Sequence, residues 1–156
     1  MCGIAGLFLK NERFEPELGR LLAGMLGTLC DRGPDSAGFA VYGAGDAARI
    51  KLTLRAANGS DFAAVEEVIS EAAGGDAALS VRATHATASV PAGTEDAVRE
   101  VLAARFPHLH VVSYGKRIEI YKEVGRPDSV AQRFQLDGMC GSHAIGHTRM
   151  ATESVV

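Results

Sequence analysis

The chain lacks any apolar run near the ~20 residues of a membrane-spanning helix. It also lacks a basic segment followed by a short apolar one at its start, so no signal peptide is visible. Cysteine is scarce. Cys2, Cys30 and Cys140 are an odd number in no framework spacing. They read as reduced thiols of a cytoplasmic protein rather than as a disulfide scaffold. No sign of charge dominates. A net charge of −3 gives no electrostatic reason to expect a nucleic acid or an anionic membrane as partner. The glycine turns Gly43-Ala44-Gly45 and Gly74-Gly75 are not followed by Lys-Ser or Lys-Thr, so no phosphate loop is supported. What remains is the composition of a soluble globular protein, 47% apolar and 22% charged, with 156 residues, enough for the core of one domain.

What is present begins at the second residue. The chain opens Met1-Cys2-Gly3-Ile4-Ala5-Gly6. Removal of Met1 by an aminopeptidase would leave Cys2 with both a thiol and a free α-amine. Such an amine ordinarily titrates near ~7.7–8.0 and lies within reach of its own thiol. Nucleophile and base would then share one residue, as in a threonine activated by its own terminal amine.

Residues 2–9 are short, apolar and glycine-containing, which predicts a buried strand. Leu18, Leu21, Leu22, Met25, Leu26 and Leu29 recur at three- and four-residue spacing. They predict an amphipathic helix over 15–29 with Pro16 in its first turn. Residues 39–42 and 50–54 read as a hairpin turning at Gly43 and Gly45. The stretch 57–135 changes texture. It predicts a helix around Phe62, Val65, Val68 and Ile69, then a strand over 78–90. A helix carrying Val98, Val101, Leu102 and Phe106 follows. A hairpin of 111–114 with 118–121 turns at Gly115, and a last short helix carries Val130 and Phe134. This alternation is the pattern of an inserted small α/β lobe. Strand character returns over 137–152.

Two polar clusters carry chemistry. Arg32-Gly33-Pro34-Asp35-Ser36-Ala37-Gly38 is a tight loop whose glycines permit unusual backbone angles and whose Arg32 and Asp35 are placed to brace each other. Gly146-His147-Thr148-Arg149-Met150-Ala151-Thr152 presents a guanidinium and two hydroxyls on an extended segment. Alternation puts Arg149 and Ala151 on one face and Thr148 and Met150 on the other. Arg149 is suited either to grip a carboxylate bidentately or to pair with an internal acid.

These three motifs, in this order and with the cysteine at the terminus, resemble those of the class II glutamine amidotransferases. Those are the N-terminal-nucleophile glutaminases that include the glutaminase domains of glutamate synthase, glucosamine-6-phosphate synthase and the purine amidophosphoribosyltransferase. The resemblance covers about residues 1–45 and 137–154. The long spacer and the Met150-Ala151-Thr152-Glu153-Ser154 ending look most similar to stand-alone glutamate-synthase-like amidotransferases, a group that includes the amidotransferase subunit of N-methylglutamate synthase.

The resemblance implies an α/β (α+β) fold, the N-terminal portion of an αββα sandwich of two antiparallel sheets between helical layers, with 57–135 as an inserted lobe. It implies a glutaminase component that hydrolyses glutamine to glutamate and ammonia through a Cys2 γ-glutamyl thioester. The ammonia would pass to a synthase subunit or domain in a hetero-oligomer. Arg149 would hold the substrate α-carboxylate, and Thr152 would bond its amino-acid end. Arg32 and Gly33 match the loop that closes near the nucleophile. His147 matches a structural strand position. No cofactor or metal is implied.

The chain departs from the pattern at two places. Glu153 stands where some members carry a histidine. The family's oxyanion-hole Asn-Gly lies downstream of the arginine motif, whereas the only such pair here is Asn58-Gly59. It reads as a turn. The family's downstream acid, which binds the substrate ammonium, is absent too. The expectation is a type-2 amidotransferase domain over 1–156, incomplete at its C-terminus and poorly active by itself, since a lost oxyanion donor costs about two to three orders of magnitude.

Cys140-x-x-His143-x-x-x-His147 has zinc-like spacing without an evident fourth ligand. His85, His108 and His110 read as surface or satisfied core histidines. Arg126-Pro127-Asp128-Ser129 echoes the first loop motif but lacks its inner glycine. Two other readings compete: a non-catalytic regulatory or interaction subunit that retains the fold, and an N-terminal-nucleophile hydrolase of another amide.

Overall fold

The computed structural model of the chain describes residues 2–151, apart from the side chain of Ser60. It is a mixed α/β structure with two four-stranded antiparallel sheets and, among the described residues, four α-helices. The chain divides into two compact units, Met1–Ala44 with Ile120–Val156 and Gly45–Glu119.

The sheet of the first unit runs in the order β1 (Gly3–Phe8), β8 (His143–Arg149), β2 (Ser36–Tyr42), β7 (Ile118–Val124). β1 pairs with β8 from Gly3↔Thr148 to Phe8↔His143. β2 pairs with the other side of β8 from Ser36↔Arg149 to Tyr42↔His143. One face of this sheet is covered by helix α1 (Leu18–Thr28), whose Leu18, Leu22 and Leu26 are fully buried. Each such leucine stabilises by roughly 1.5–3 kcal/mol. Glycines let the helix come close. A Cβ on Gly146 of β8 would stand 2.8 Å from Leu26 Cδ2, and one on Gly19 of α1 would collide with the Leu136 carbonyl oxygen. Phe39, Tyr121 and Phe134 complete the core, with ring centroids 5.3 Å apart for Phe39–Tyr121 and for Tyr121–Phe134. Helix α4 (Pro127–Arg133) precedes Phe134.

The other face of that sheet is largely exposed among the described residues. Ile4 is 78% exposed, Phe8 69% and Ile145 50%. His143 lies on this face between Phe8 and Tyr42, 5.7 Å and 4.1 Å from their ring centroids.

The second unit is a sheet in the order β4 (Ala78–Arg82), β5 (His85–Pro91), β3 (Arg49–Arg55), β6 (His110–Gly115). Helices α2 (Val65–Ala72) and α3 (Glu95–Arg105) pack on it. Leu52, Leu54, Val65, Ile69, Ala86, Ala88, Val90 and Val98 form its core.

The structure corrects several sequence expectations. Residues 39–42 and 50–54 are not a hairpin: β2 lies between β8 and β7, and β3 lies between β5 and β6; nor are 111–114 and 118–121, since β6 and β7 belong to different sheets. The Gly43–Gly45 connection instead leads from one unit to the next. Residues 78–90 are two strands, which reverse at Ala83 and Thr84. Ala83 takes the left-handed φ of 51° that a turn needs, without the glycine or asparagine that would have announced it. Pro16 lies not in the first turn of α1 but in a 3-10 turn over Glu12–Glu17 just before it. β7 beyond Glu119 and α4, which the change of texture assigned to the middle region, lie in the first unit.

Candidate active site

Cys2 is exposed and directly precedes β1. Gly3 faces Thr148 across the β1–β8 ladder, and continuing that register by one residue brings Cys2 opposite Arg149. Side chains alternate along a strand. Gly3 and Thr148 are buried, while Ile4, His147 and Arg149 lie on the exposed face, where alternation also puts the Cys2 side chain. The candidate nucleophile and the candidate carboxylate-binding cation therefore share one side of the sheet edge.

The Arg32-Gly33-Pro34-Asp35 loop is fastened to the same place. Gly33 lies so close to β8 that an added Cβ would stand 2.6 Å from Arg149 N and 2.7 Å from both the carbonyl carbon and Oγ1 of Thr148. Pro34 forms a parallel bridge with Arg149. The Asp35 amide donates to the Arg149 carbonyl at 3.2 Å, and the Asp35 carboxylate accepts from the Ala151 amide at 2.6 Å. Asp35 also gives its carbonyl to the Gly125 amide at 2.8 Å. The brace expected between Arg32 and Asp35 does not form; the carboxylate takes a backbone amide instead.

Arg32 ends a 3-10 turn over Cys30–Arg32 and is exposed. Arg149 is exposed as well, and neither guanidinium has an ion-pair partner among the described residues. The alternative of a buried Arg149 paired with an internal acid is thus not the arrangement found. Both guanidinia are open to an anionic group. Thr152 lies outside the described residues.

Other candidates are elsewhere or otherwise engaged. Cys30 is buried, its Sγ 3.9 Å from the Leu26 carbonyl, and Cys140 lies 4.0 Å from the Pro16 carbonyl. The His143 ring is stacked, with Nδ1 2.9 Å from Ser142 Oγ. The His147 ring lies over Gly38, where a Cβ would be 2.7 Å from its Cε1. Among the described residues no three His, Cys, Asp or Glu side chains are grouped as a metal site. Asn58-Gly59 opens a 3-10 turn in the second unit; the Asn58 amide donates to Asp61 Oδ2 at 3.3 Å, and a Cβ on Gly59 would be 2.7 Å from the Ala83 carbonyl oxygen.

Sequence reasoning missed two features. The Asp35–Ala151 bond joins residues far apart in the chain, and only the tight-loop composition around Asp35 hinted at it. The second is Thr148. It is wholly buried, and its hydroxyl has no hydrogen-bond partner among the described residues. An unsatisfied buried hydroxyl costs about 1–3 kcal/mol.

An exposed cysteine just before β1 and an exposed arginine on the neighbouring strand β8 put a nucleophilic residue type and a cation at the same end of the sheet. No family model matches the chain. Its whole length is similar to a glutamine amidotransferase-like protein, GlxB of Rhizobium meliloti (strain 1021), at 51% identity over 157 residues covering 52% of that protein. It is also similar to a protein of Methanothermobacter thermautotrophicus named as a candidate glutamine amidotransferase, at 29% identity over 174 residues covering 54% of it. The chain thus spans about half the length of the curated relatives it matches.

Proposed function

We propose that this chain is the nucleophile-bearing part of a class II glutamine amidotransferase. The observation that carries the reading is the convergence of the three sequence motifs. The β1–β8 register, continued one residue past Gly3↔Thr148, points Cys2 toward Arg149, and Gly33 is wedged against the Arg149 backbone. The similarity to glutamine amidotransferase-like proteins supports glutamine as the substrate.

In this reading Met1 is removed. The Cys2 thiolate attacks the side-chain amide carbon of glutamine while the terminal amine holds the thiol proton. The C–N bond breaks, the amine returns the proton to the departing nitrogen, and ammonia leaves a γ-glutamyl thioester. Water, deprotonated by the same amine, cleaves the thioester to glutamate and restores the thiol. Arg149 grips the α-carboxylate as a planar fork, and Thr152 bonds the amino-acid end. Arg32 and Gly33 belong to the loop that closes over the nucleophile. The ammonia passes to a synthase subunit or domain in a cytoplasmic hetero-oligomer, in the manner of the amidotransferase subunit of N-methylglutamate synthase. The middle of the chain serves as an inserted lobe. The exposed sheet face of Ile4, Phe8 and Ile145 is where the second sheet of the αββα sandwich packs.

The test is glutamine hydrolysis by the protein at its natural length, with labelling by a glutamine-like diazoketone. Cys2→Ala is expected to abolish hydrolysis and labelling, whereas Cys30→Ala and Cys140→Ala retain most of both. Labelling that persists in the Cys2→Ala protein rejects Cys2 as nucleophile. A wild type that is folded but neither labelled nor active favours the non-catalytic reading.

A further inference from the structure

Thr148 stands between the two segments that must meet at the nucleophile. Its side-chain oxygen is the nearest atom to the place a Cβ on Gly3 would occupy, at 3.1 Å, and is 2.7 Å from the place a Cβ on Gly33 would occupy. Gly3 is the residue that follows Cys2, and Gly33 is the loop residue against the Arg149 backbone. Thr148 also pairs with Gly3 on one side of β8 and with Ala37 on the other. It is fully buried, with a hydroxyl that bonds nothing among the described residues. For filling space alone, valine would serve at this position without burying a polar atom.

We propose that Thr148 is a positioning residue for the terminal nucleophile. Its hydroxyl can donate and accept at once. It bonds neither glycine in the structure; once Cys2 has become the terminal residue it ties the backbone at Gly33 to the backbone at Gly3, and so fixes the direction of the new α-amine against the Cys2 thiol. Alternation puts the Cys2 side chain on the opposite face of the strand from Thr148, so the hydroxyl touches no reacting atom and acts through the two glycines. The need arises on processing: without Met1, Gly3 is the one residue covalently joined to Cys2. The proposal rests on the reading of Cys2 as a terminal nucleophile.

The experiment compares Thr148→Val and Thr148→Ser in the protein at its natural length. It measures steady-state glutamine hydrolysis, Tm, and the pH profile of Cys2 alkylation by iodoacetamide. Thr148→Val is expected to lower kcat by about tenfold with KM changed less than about twofold. It should displace the pH midpoint of alkylation and leave Tm at or above that of the wild type. Thr148→Ser should recover most of kcat and the original midpoint. A Thr148→Val protein with wild-type kcat and midpoint overturns the proposal. So does a fall in Tm that tracks the loss of kcat in both variants, since the side chain would then be acting through packing. A wild type without glutaminase activity or diazoketone labelling rejects the functional reading instead. The alkylation midpoint, which needs no glutamine, still decides whether Thr148 sets the environment of the terminal residue.

Discussion

Asp35 and Ala151 are joined by a 2.6 Å bond from the Ala151 amide to the Asp35 carboxylate, while the Asp35 amide bonds the Arg149 carbonyl two residues earlier. One residue of the loop thus holds the arginine segment at two points. Asp35→Ala removes the acceptor and Asp35→Asn keeps one. Because Asp35 is exposed, the expected loss of stability is about 1 kcal/mol or less in either variant. The effect on catalysis should be larger. Asp35→Ala should lower kcat/KM for glutamine by about tenfold and speed proteolytic cleavage near Arg149, with Asp35→Asn intermediate. Indistinguishable kinetics for all three proteins would mean that the clamp has no bearing on the site.

Gly33→Ala tests the close approach of loop and strand. The added methyl would meet the Arg149 amide nitrogen at 2.6 Å and the Thr148 carbonyl carbon at 2.7 Å. Both are backbone atoms that cannot swing aside. Overpacking of this kind costs about 1–3 kcal/mol. A lowered Tm together with lost diazoketone labelling is expected. A variant with unchanged Tm would show that the loop can lift away at little cost.

Arg149→Lys separates recognition from scaffolding. A hydrogen bond to a charged group is worth about 1.5–3 kcal/mol, so the loss in kcat/KM should be about one to two orders of magnitude. Much of it should fall in KM, because lysine keeps the charge but not the planar fork. The α-amide of glutamine should be a poor substrate already and should respond little to the substitution. An equal loss on both substrates would assign Arg149 to holding the fold together.

Replacing Gly45–Glu119 with a short Gly/Ser linker should leave a folded first unit that still reacts with the diazoketone at Cys2, with weaker coupling to an ammonia-accepting partner. Cutting at 57 and 135 should fail, since it removes Tyr121 and Phe134, which are buried against Phe39. A linker variant that is folded but unreactive would make the second unit part of the site.

The parts of the fold that were legible in the sequence are those with strong local periodicity. Leu18, Leu22 and Leu26 announce α1, and the short apolar run after Cys2 announces β1, although β1 is an edge strand with Ile4 and Phe8 exposed and not the buried strand expected. Alternation along β8 correctly put Arg149 and Thr148 on opposite faces. What could not be read was which strand lies beside which. Gly43 and Gly45 signal a turn but not its destination, so β2 and β3 looked like partners. Ala83 turns the chain through a backbone conformation that its side chain does not advertise. At the site the motif residues were legible as types, but the bond from Asp35 to Ala151 depends on long-range register, and the buried hydroxyl of Thr148 depends on packing by Gly3 and Gly33.

Among the described residues β1 is one of the two outermost strands of its sheet. An outermost strand is held by hydrogen bonds along one flank only, and opening there requires far less than unfolding of the core. Cys2 stands at the very tip of that strand. In mild denaturant or on warming, its alignment with Arg149 should therefore be lost through local fraying while α1 and the Phe39–Tyr121–Phe134 cluster remain intact. Inactivation would then run ahead of the loss of helical signal, and cooling or dilution would restore it without refolding of the domain.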